Sequence, residues 1–255
     1  MARHVEAWMD GVALSSVGPF LLQQIQEEPP ETEQTSYARP GMDGQWAGPT
    51  RRTALRIVLM VAIRELYDLP RRAMLAEALA VWANGKILQT SNRPGRRLRV
   101  RCTGAPALGA VRDYTQEMRV ELTAWAPPYW EDEIAERLTL TGSTGSGTIR
   151  LPGTADAPVA VTVTVTPESA LTDLSLTVGE NTITLAELAV PADTPLTLDR
   201  DEEDNLRITA AGVSQLRKRT AASADDLYCP PGNVEISFTA NAAVELVALA
   251  RGRWR

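Results

Sequence analysis

Residues 112–132 read RDYTQEMRVELTAWAPPYWED, and this stretch decides the fold. From position 118 to position 125, apolar and polar side chains alternate with the period of two that is typical of a strand with one buried face. The strand ends at Pro127, because two successive prolines donate no ladder hydrogen bonds. Bulky aromatic residues flank the prolines and must pack. We therefore predict a domain boundary here, with three candidate packing residues: Trp125, Tyr129 and Trp130.

The composition changes at this boundary. Residues 1–130 carry 16 Lys+Arg and 13 Asp+Glu, for a net charge of +3, whereas residues 131–255 carry 10 and 19, for a net charge of −9. Five of the six tryptophans lie in the first half, and the second half is rich in Thr, Ala and Val. We therefore expect two domains, residues 1–131 and 132–255, each long enough to bury a core.

The first half reads as a series of strands. Residues 5–14 alternate around the turn Asp10-Gly11 and predict a β-hairpin, and residues 21–26 predict a further short strand. Residues 53–67 are apolar on both faces in the middle, which indicates a central strand covered on both sides. Residues 27–48 are polar and interrupted by Pro and Gly, so they predict a loop that is solvated or contacts a partner.

Residues 71–84 predict one amphipathic helix that covers the sheet. Its predicted apolar side consists of Met74, Leu75, Ala78, Leu79, Val81 and Trp82. Residues 98–102 predict a strand with positive charge on one face. Arginine makes planar two-bond contacts that suit subunit interfaces, although a GC-rich genome produces the same preference for Arg over Lys. The candidate interface residues are Arg56, Arg64, Arg96, Arg97, Arg99 and Arg101.

The second half contains short strands at regular spacing, which is the pattern of a β-sandwich. Residues 159–166 alternate Val with Ala or Thr, and Gly179-Glu180-Asn181 joins two strands tightly. Residues 142–147, GSTGSG, are not followed by Lys and Ser or Thr as in a phosphate loop, so they predict a flexible hairpin loop. Residues 199–205, DRDEEDN, lack the turn glycine of a calcium-binding loop and predict a solvated hairpin tip. The predicted class is mainly β (α+β), with one helix in the first half.

The sequence contains little catalytic chemistry. Its single histidine, His4, lies in a terminal segment and is poorly placed for a Ser-His-Asp triad. Cys102 and Cys229 fall one in each half, so we expect two free thiols and no zinc site. Any chain with 32 acidic residues offers carboxylate pairs, so such pairs do not indicate glycoside hydrolysis. We expect no enzymatic activity, no cofactor and no metal.

The same residues limit the expected partners. The arginines between positions 93 and 101 have no interleaved aromatic residues and the chain is acidic overall, so we expect no sequence-specific nucleic-acid binding. The first eleven residues are charged, and the longest apolar run, residues 57–63, is too short to span a bilayer. We therefore expect neither a secretory signal nor a membrane anchor.

The order of these features resembles the distal tail protein (Dit) family of long-tailed, non-contractile bacteriophages (siphophages). The resemblance covers essentially the whole chain and is carried by Arg112-Asp113-Tyr114, the boundary APPYWE, Pro231-Gly232-Asn233 and the closing Arg251-Gly252-Arg253-Trp254. It implies that the first half forms a homohexameric ring at the end of the tail tube. It also implies that the second half is a galectin-like β-sandwich on the outside of that ring.

The resemblance further implies a non-enzymatic baseplate hub of the virion, assembled in the host cytoplasm, that contacts the tail tube protein, the tail-tip hub protein and receptor-binding proteins. The second half has no histidine and no His-Asn-Pro-Arg stretch, so the sugar binding of galectins does not follow from it. An alternative is a glycan-binding adhesin module of a phage or bacterial surface assembly. In that case Trp125, Tyr129 or Trp130 would stack on a sugar.

Overall fold

The computed structural model describes residues 5–37, 46–63, 69–104, 106–112, 115–125, 127–166 and 169–255. The chain divides into two compact units, Met1–Trp130 and Glu131–Arg255. This division lies one residue before the boundary expected from the sequence. Both units consist mainly of β-strands, which confirms the predicted fold class.

The described part of the first unit contains two sheets, a separate hairpin and two helices. The strands are β1 (Ala7–Met9), β2 (Val12–Ala13), β3 (Phe20–Glu28), β4 (Thr32–Tyr37), β5 (Trp46–Arg52), β6 (Leu55–Ile63), β7 (Ile87–Thr90), β8 (Arg96–Arg99), β9 (Arg101–Cys102), β10 (Ala107–Arg112) and β11 (Thr115–Ala124). The helices are α1 (Leu14–Val17) and α2 (Leu69–Ala83). One sheet has the order β10-β11-β6-β3 with β9 also paired to β11, and the other contains β2, β1, β7 and β8 in that order.

The centre of the first unit is the antiparallel pair of β6 and β11, which is in register from Leu55 opposite Ala124 to Ile63 opposite Gln116. β6 is buried on both faces through its middle, as predicted, because it lies between β3 and β11 in a covered sheet. β11 confirms the strand predicted from the opening stretch. Alternate side chains of β11 enter the core: Met118, Val120, Leu122 and Ala124.

The predicted N-terminal hairpin is confirmed as β1 and β2. Asp10 and Gly11 join these strands with φ angles of 50° and 81°, as a two-residue hairpin turn requires. The carboxylate of Asp10 accepts the N–H groups of Lys86 at 3.0 Å and Ile87 at 2.9 Å. A Cβ on Gly85 would lie 2.3 Å from a hairpin side-chain carbon. The hairpin therefore fixes the segment that follows α2.

Helix α2 confirms the predicted helix, but its buried face differs from the predicted one. Leu79 and Trp82 are buried, and the indole N–H of Trp82 donates to the carbonyl of Val12 at 2.9 Å. Met74 and Val81, both predicted on the buried side, are 69% and 70% exposed. At 3.6 residues per turn, they lie roughly 140–160° around the helix from Leu79. The predicted apolar side therefore combined two opposite faces.

Residues 27–48 are not one loop, which corrects the prediction. β3 continues to Glu28, and β4 pairs antiparallel with β5 from Thr32 opposite Arg52 to Tyr37 opposite Trp46. β4 (TEQTSY) is almost entirely polar, and β5 (WAGPTRR) begins with four non-polar residues and ends with three polar ones. Neither sequence has the period-two alternation of a half-buried strand. The centre of the predicted loop, residues 38–45, lies outside the described residues.

The second unit is built around one nine-stranded sheet that curls into a sandwich. The nine described strands of this sheet are β13 (Glu136–Leu151), β14 (Ala157–Val165), β15 (Leu174–Val178), β16 (Asn181–Leu185), β17 (Pro195–Arg200), β18 (Leu206–Ala210), β19 (Val213–Ser214), β20 (Tyr228–Cys229) and β21 (Gly232–Ala250). Outside this sheet, β12 (Trp130–Asp132, which begins at the junction) pairs with β22 (Arg253–Trp254). A short 3₁₀ helix, Leu216–Lys218, follows β19.

Strand β21 is the centre of this sheet. One of its edges pairs with β13, and its other edge pairs first with β15 and then with β14. The short strands predicted for this half are therefore not all separate, because β21 continues over 19 residues. The pairing of β13 with β21 shifts register between Gly142 and Thr144, close to the point where the other edge of β21 changes partner from β15 to β14.

Residues 142–147, predicted as a flexible loop, lie inside β13, so that prediction is wrong. A Cβ on Gly145 would lie 2.9 Å from the ring of Phe238, and one on Gly147 would lie 3.1 Å from Leu138 and Leu140. Ordinary Cβ contacts are longer than these distances. The glycines therefore leave room for the side chains of Phe238, Leu138 and Leu140 to pack against this part of β13, rather than making the chain flexible.

Other patterns of the second half are confirmed. The valines at alternate positions of β14 are buried, and Gly179, with a φ of 59°, begins the tight turn between β15 and β16. Cys102 and Cys229 are both free thiols, as predicted. Neither α1 nor α2 has the length and apolar composition needed to cross a bilayer, and no other helix in the described ranges does.

Candidate subunit interface and the C-terminal polar cluster

Arg56 lies on β6 within an exposed row of alternating charges. Its guanidinium is 3.7 Å from the carboxylate of Glu28 on β3 and 3.7 Å from that of Glu121 on β11. Glu121 is in turn 3.0 Å from Arg119. Pairs this exposed add little to stability, because water screens them and the long side chains lose entropy. A neighbouring subunit would meet both signs of charge here.

The arginines predicted on one strand lie on two strands in different sheets. β8, which pairs with β7, holds Arg96, Arg97 and Arg99. Arg101 lies on β9, which pairs with β11 at Thr123. The chain changes sheets at Val100, whose buried side chain enters the core between the two strands. The prediction of one positive face over residues 98–102 is therefore wrong. The remaining candidate, Arg64, lies outside the described residues.

Arg93, which lies just before β8, binds a carboxylate with one edge of its guanidinium. Its Nε and Nη2 donate to the two carboxylate oxygens of Glu27 at 2.9 and 2.7 Å, so one guanidinium edge holds both oxygens. The hydrogen bond to Glu27 raises the pKa of the Arg93 guanidinium. The guanidinium carbon also lies 5.3 Å from the ring centroid of Trp130. Arg93 therefore joins the end of β3 to the boundary residue.

The three aromatic residues at the boundary have different environments. Trp130 is only 1% exposed, and its indole N–H has no hydrogen-bond partner in the described part of the chain. Tyr129 is half-buried, with the guanidinium of Arg52 at 5.9 Å from its ring centroid. Trp125 is 61% exposed and follows directly on β11. Trp125 is therefore the one of the three that presents its surface to solvent.

The sheet β10-β11-β6-β3 ends in two edges that no described strand covers. The β3 edge is nine residues long and ends in Glu27 and Glu28. The opposite edge is formed by β10 and β9, whose sequences include Arg112 and Arg101. The two edges therefore differ in length and in the charged residues of their sequences.

A buried polar cluster closes the second unit around Arg253. This residue is 2% exposed, and its guanidinium donates to the two carboxylate oxygens of Asp204 at 3.1 and 2.9 Å. It also donates to the hydroxyl of Tyr228 at 2.9 Å and lies 3.5 Å from the carboxylate of Glu131. The hydroxyl of Tyr228 donates to Asp204. One cation therefore holds together residues from the start, middle and end of the unit.

Burial shifts the acid–base behaviour of this cluster. Burial opposes the charge of Arg253, but hydrogen bonds and attraction to Asp204 outweigh it and raise the pKa of Arg253. Burial raises the pKa of Tyr228 above its ordinary value, although the neighbouring Arg253 acts in the opposite direction. Arg200 lies 4.6 Å from the centroid of the Tyr228 ring and forms an ion pair with Asp226, and burial lowers its pKa.

The predicted solvated tip at residues 199–205 is only partly solvated. The carboxylate of Asp201 accepts the backbone N–H groups of Asn205 at 2.8 Å and Glu203 at 3.0 Å, and these bonds lower its pKa. Asp204, with a φ of 68°, instead directs its carboxylate toward Arg253. The local sequence contains no signal for this contact, because its partner is 49 residues away.

Tight backbone contacts hold Arg253 in place. A Cβ on Gly153 would lie 2.3 Å from the carbonyl oxygen of Arg253, and one on Gly252 would lie 2.2 Å from that of Pro152. The indole N–H of Trp254 donates to the carboxylate of Asp132 at 2.8 Å. The closing Arg-Gly-Arg-Trp stretch, which contributed to the sequence resemblance, therefore packs against and binds residues near the beginning of its own unit.

The described residues offer no metal centre, because no group of three or more His, Cys, Asp or Glu side chains in those ranges can hold an ion. In the C-terminal cluster, Arg253 contacts both Asp204 and Glu131. Both carboxylates therefore accept hydrogen bonds from the same guanidinium. The cluster connects the end of the second unit to its beginning and middle.

No protein-family model and no curated protein sequence matches the chain. Solved structures do match it. The Dit hub protein of phage SPP1, described as a paradigm of the hub adsorption apparatus in phages that infect Gram-positive bacteria, aligns with a TM-score of 0.68 and 12% identity over 97% of this chain and 98% of its own. The phage P2 baseplate in its calcium-activated conformation aligns with a TM-score of 0.50 and 9% identity, over 97% of this chain and 98% of that chain. The chain therefore has the fold of a Dit-like phage tail protein.

Proposed function

We propose that this protein is a structural hub of a bacteriophage tail tip and has no enzymatic role. Its first unit assembles into a homohexameric ring that joins the tail tube to the tip proteins, and its galectin-like second unit lies outside the ring and supports receptor-binding proteins. The observation that supports this proposal is a fold shared with the SPP1 hub protein over nearly the whole length of both chains. The protein would then reside in the virion, at the tail tip.

The two unequal sheet edges of the first unit support ring formation. A contact from the β3 edge of one copy to the edge formed by β9 and β10 of the next is head-to-tail, and such contacts close into a ring when the rotation per copy divides a full turn. Added strand pairing would satisfy backbone groups that the single copy leaves exposed at these edges. The exposed apolar pair Met74 and Val81 on α2 offers a further contact surface.

Charge reversal tests the arginine part of this proposal. The double substitution Arg97→Glu and Arg99→Glu should weaken assembly without unfolding the single copy. Arg150→Glu and Arg217→Glu together make a matched control, because they change the same charge at exposed positions of the second unit. Sedimentation velocity of all three proteins gives the result. If the variant with Arg97→Glu and Arg99→Glu forms rings as the wild type does, β8 is not part of the interface.

A glycan-binding role rests on the exposed Trp125 alone, because Trp130 is buried and Tyr129 is half-buried. Sugar recognition through this residue would require the open indole face to stack on a pyranose ring. A glycan array probed with the wild type and with Trp125→Ala tests this second function. Binding that disappears in the variant would support it, and an array without binding would eliminate it.

A further inference from the structure

Strand β13 leaves one long edge of the second unit open. It pairs with β21 on one side, and no strand within the described residues lies on its other side. Proteins usually shorten such edges, cover them or protect them with lysine, proline or inward charges. This edge is sixteen residues long, contains neither lysine nor proline, and has charges only at Glu136, Arg137 and Arg150.

Hydrogen bonds on the opposite side of β21 determine which backbone groups of β13 point outward. The N–H of Thr166 donates to the carbonyl of Ala243 at 3.1 Å, just beyond the end of β14. Bonded residues alternate along an antiparallel pair, so the even-numbered residues of this half of β21 direct their backbone groups toward β13. Their partners there are Glu136, Leu138, Leu140 and Gly142. The intervening residues present their N–H and C=O groups outward: Arg137, Thr139 and Thr141.

The second half of β13 follows the same rule. The N–H of Gly179 donates to the carbonyl of Glu235 at 2.8 Å on the β15 side of β21. The outward residues in this half are therefore Thr144, Ser146, Thr148 and Arg150. In the described ranges, no turn backbone and no side chain bonds to the outward groups of either half. Among the described residues, these outward backbone groups therefore have no protein partner.

The side chains of the first half indicate what would cover this edge. Leu138 and Leu140 pack against the core but remain only partly buried, whereas Ile149 and Leu151 at the other end are fully buried. On the opposite face, Thr139 and Thr141 are exposed and uncharged. A strand added beside residues 137–141 would therefore place apolar side chains next to the two leucines and uncharged polar side chains next to the threonines.

We propose that residues 137–141 of β13 form a docking edge for one extended segment of a partner protein, which joins the sheet as a further strand. Alternating N–H and C=O groups at strand spacing are matched by another extended backbone, as in other complexes formed by strand addition. The segment alternates apolar and uncharged polar residues and covers Leu138 and Leu140. This proposal concerns the second unit and does not depend on ring formation by the first.

The experiment uses the full chain and a displayed library of eight-residue peptides that alternate apolar residues with Ser, Thr, Asn or Gln. Enriched peptides are synthesised, and their affinity for the wild type is measured by fluorescence anisotropy. Thr139→Pro removes an outward N–H without touching the ladder to β21, so it should weaken binding by about tenfold or more. Thr139→Lys provides the same block if the proline variant proves unstable.

Thr239→Lys is the matched control, because Thr239 is equally exposed but lies on β21, whose edges are both paired. It should bind the peptides as the wild type does. Amide hydrogen exchange with bound peptide should show protection at residues 137, 139 and 141. Without enriched peptides, or with peptides that bind all variants equally, the proposal fails. If raising the protein concentration without peptide protects these amides from exchange, the proposal is also wrong. The edge would then pair with a second copy of this chain.

Discussion

Replacing Arg253 with methionine should destabilise the second unit by about 3–5 kcal/mol, because it leaves two carboxylates buried without their cation. Asp204 and Glu131 are 14% and 6% exposed at the side chain, and both lie within 3.5 Å of the Arg253 guanidinium. Methionine keeps most of the aliphatic volume of the arginine side chain. The loss of stability therefore measures the removal of the charge and its hydrogen bonds, rather than the creation of a cavity. For a unit of this size, the unfolding temperature should fall by roughly 10–20 °C.

Arg207→Met is the control for this prediction. Arg207 also holds both oxygens of one carboxylate, that of Asp199, at 2.8 and 2.6 Å, but its side chain is 54% exposed. Its loss should hardly change the unfolding temperature, because water replaces the lost contacts. Differential scanning calorimetry of both variants measures the difference, and adding Asp204→Asn to the Arg253 variant should restore part of the loss. Equal unfolding temperatures for the two arginine variants would refute the reasoning.

Three further predictions concern local features and are tested by thermal unfolding or titration. Gly153→Ala should destabilise far more than Gly212→Ala, because both glycines have positive φ but only Gly153 lies against another backbone. Asp10→Ala should cost the first unit about 1–3 kcal/mol, since two backbone N–H groups lose their acceptor; Asp10→Asn should lose less. Burial raises the pKa of Tyr228 above its ordinary 10.0, so the stability it contributes should be full below pH 10 and lost as the pH rises through the folded-state pKa. Absorbance at alkaline pH, with Tyr228→Phe as reference, should show one late-titrating tyrosine.

The fold class could be predicted from the sequence because its strands have one apolar face. β11 and β14 alternate so regularly that their buried residues follow from period two alone. The turn at Asp10-Gly11 was equally predictable, because few other residue pairs tolerate two positive φ angles. In these segments local preference and tertiary packing favour the same structure.

The errors have a common physical cause, which is that contacts with another segment of the chain decided the local structure. Residues 142–147 have the composition of a loop, yet they form a strand because β21 pairs with them and the curled sheet has room only for glycine at positions 145 and 147. The strands β4 and β5 pair with each other although neither sequence alternates. The Arg253 cluster joins residues up to 122 positions apart, so no local pattern indicates it.

The candidate interface was only partly predictable for the same reason. Arginine content drew attention to β8 and β9, but the change of sheet at Val100 separates their side chains. Arg93, which binds Glu27 and lies over Trp130, has no local sequence feature that distinguishes it from its neighbours. The exposed surfaces of Trp125, Met74 and Val81 also depend on how helices and strands pack, which composition does not specify.

The mass and shape of the purified protein test the central claim most directly. Light scattering after size exclusion should give about 166 kDa, which is six copies of the 27.7 kDa chain, and negative-stain microscopy should show rings with a central opening. A single copy that persists at high concentration, both alone and when mixed with tail tube protein, would contradict the ring. That result would leave the Dit-like fold in place and require a different role for the protein.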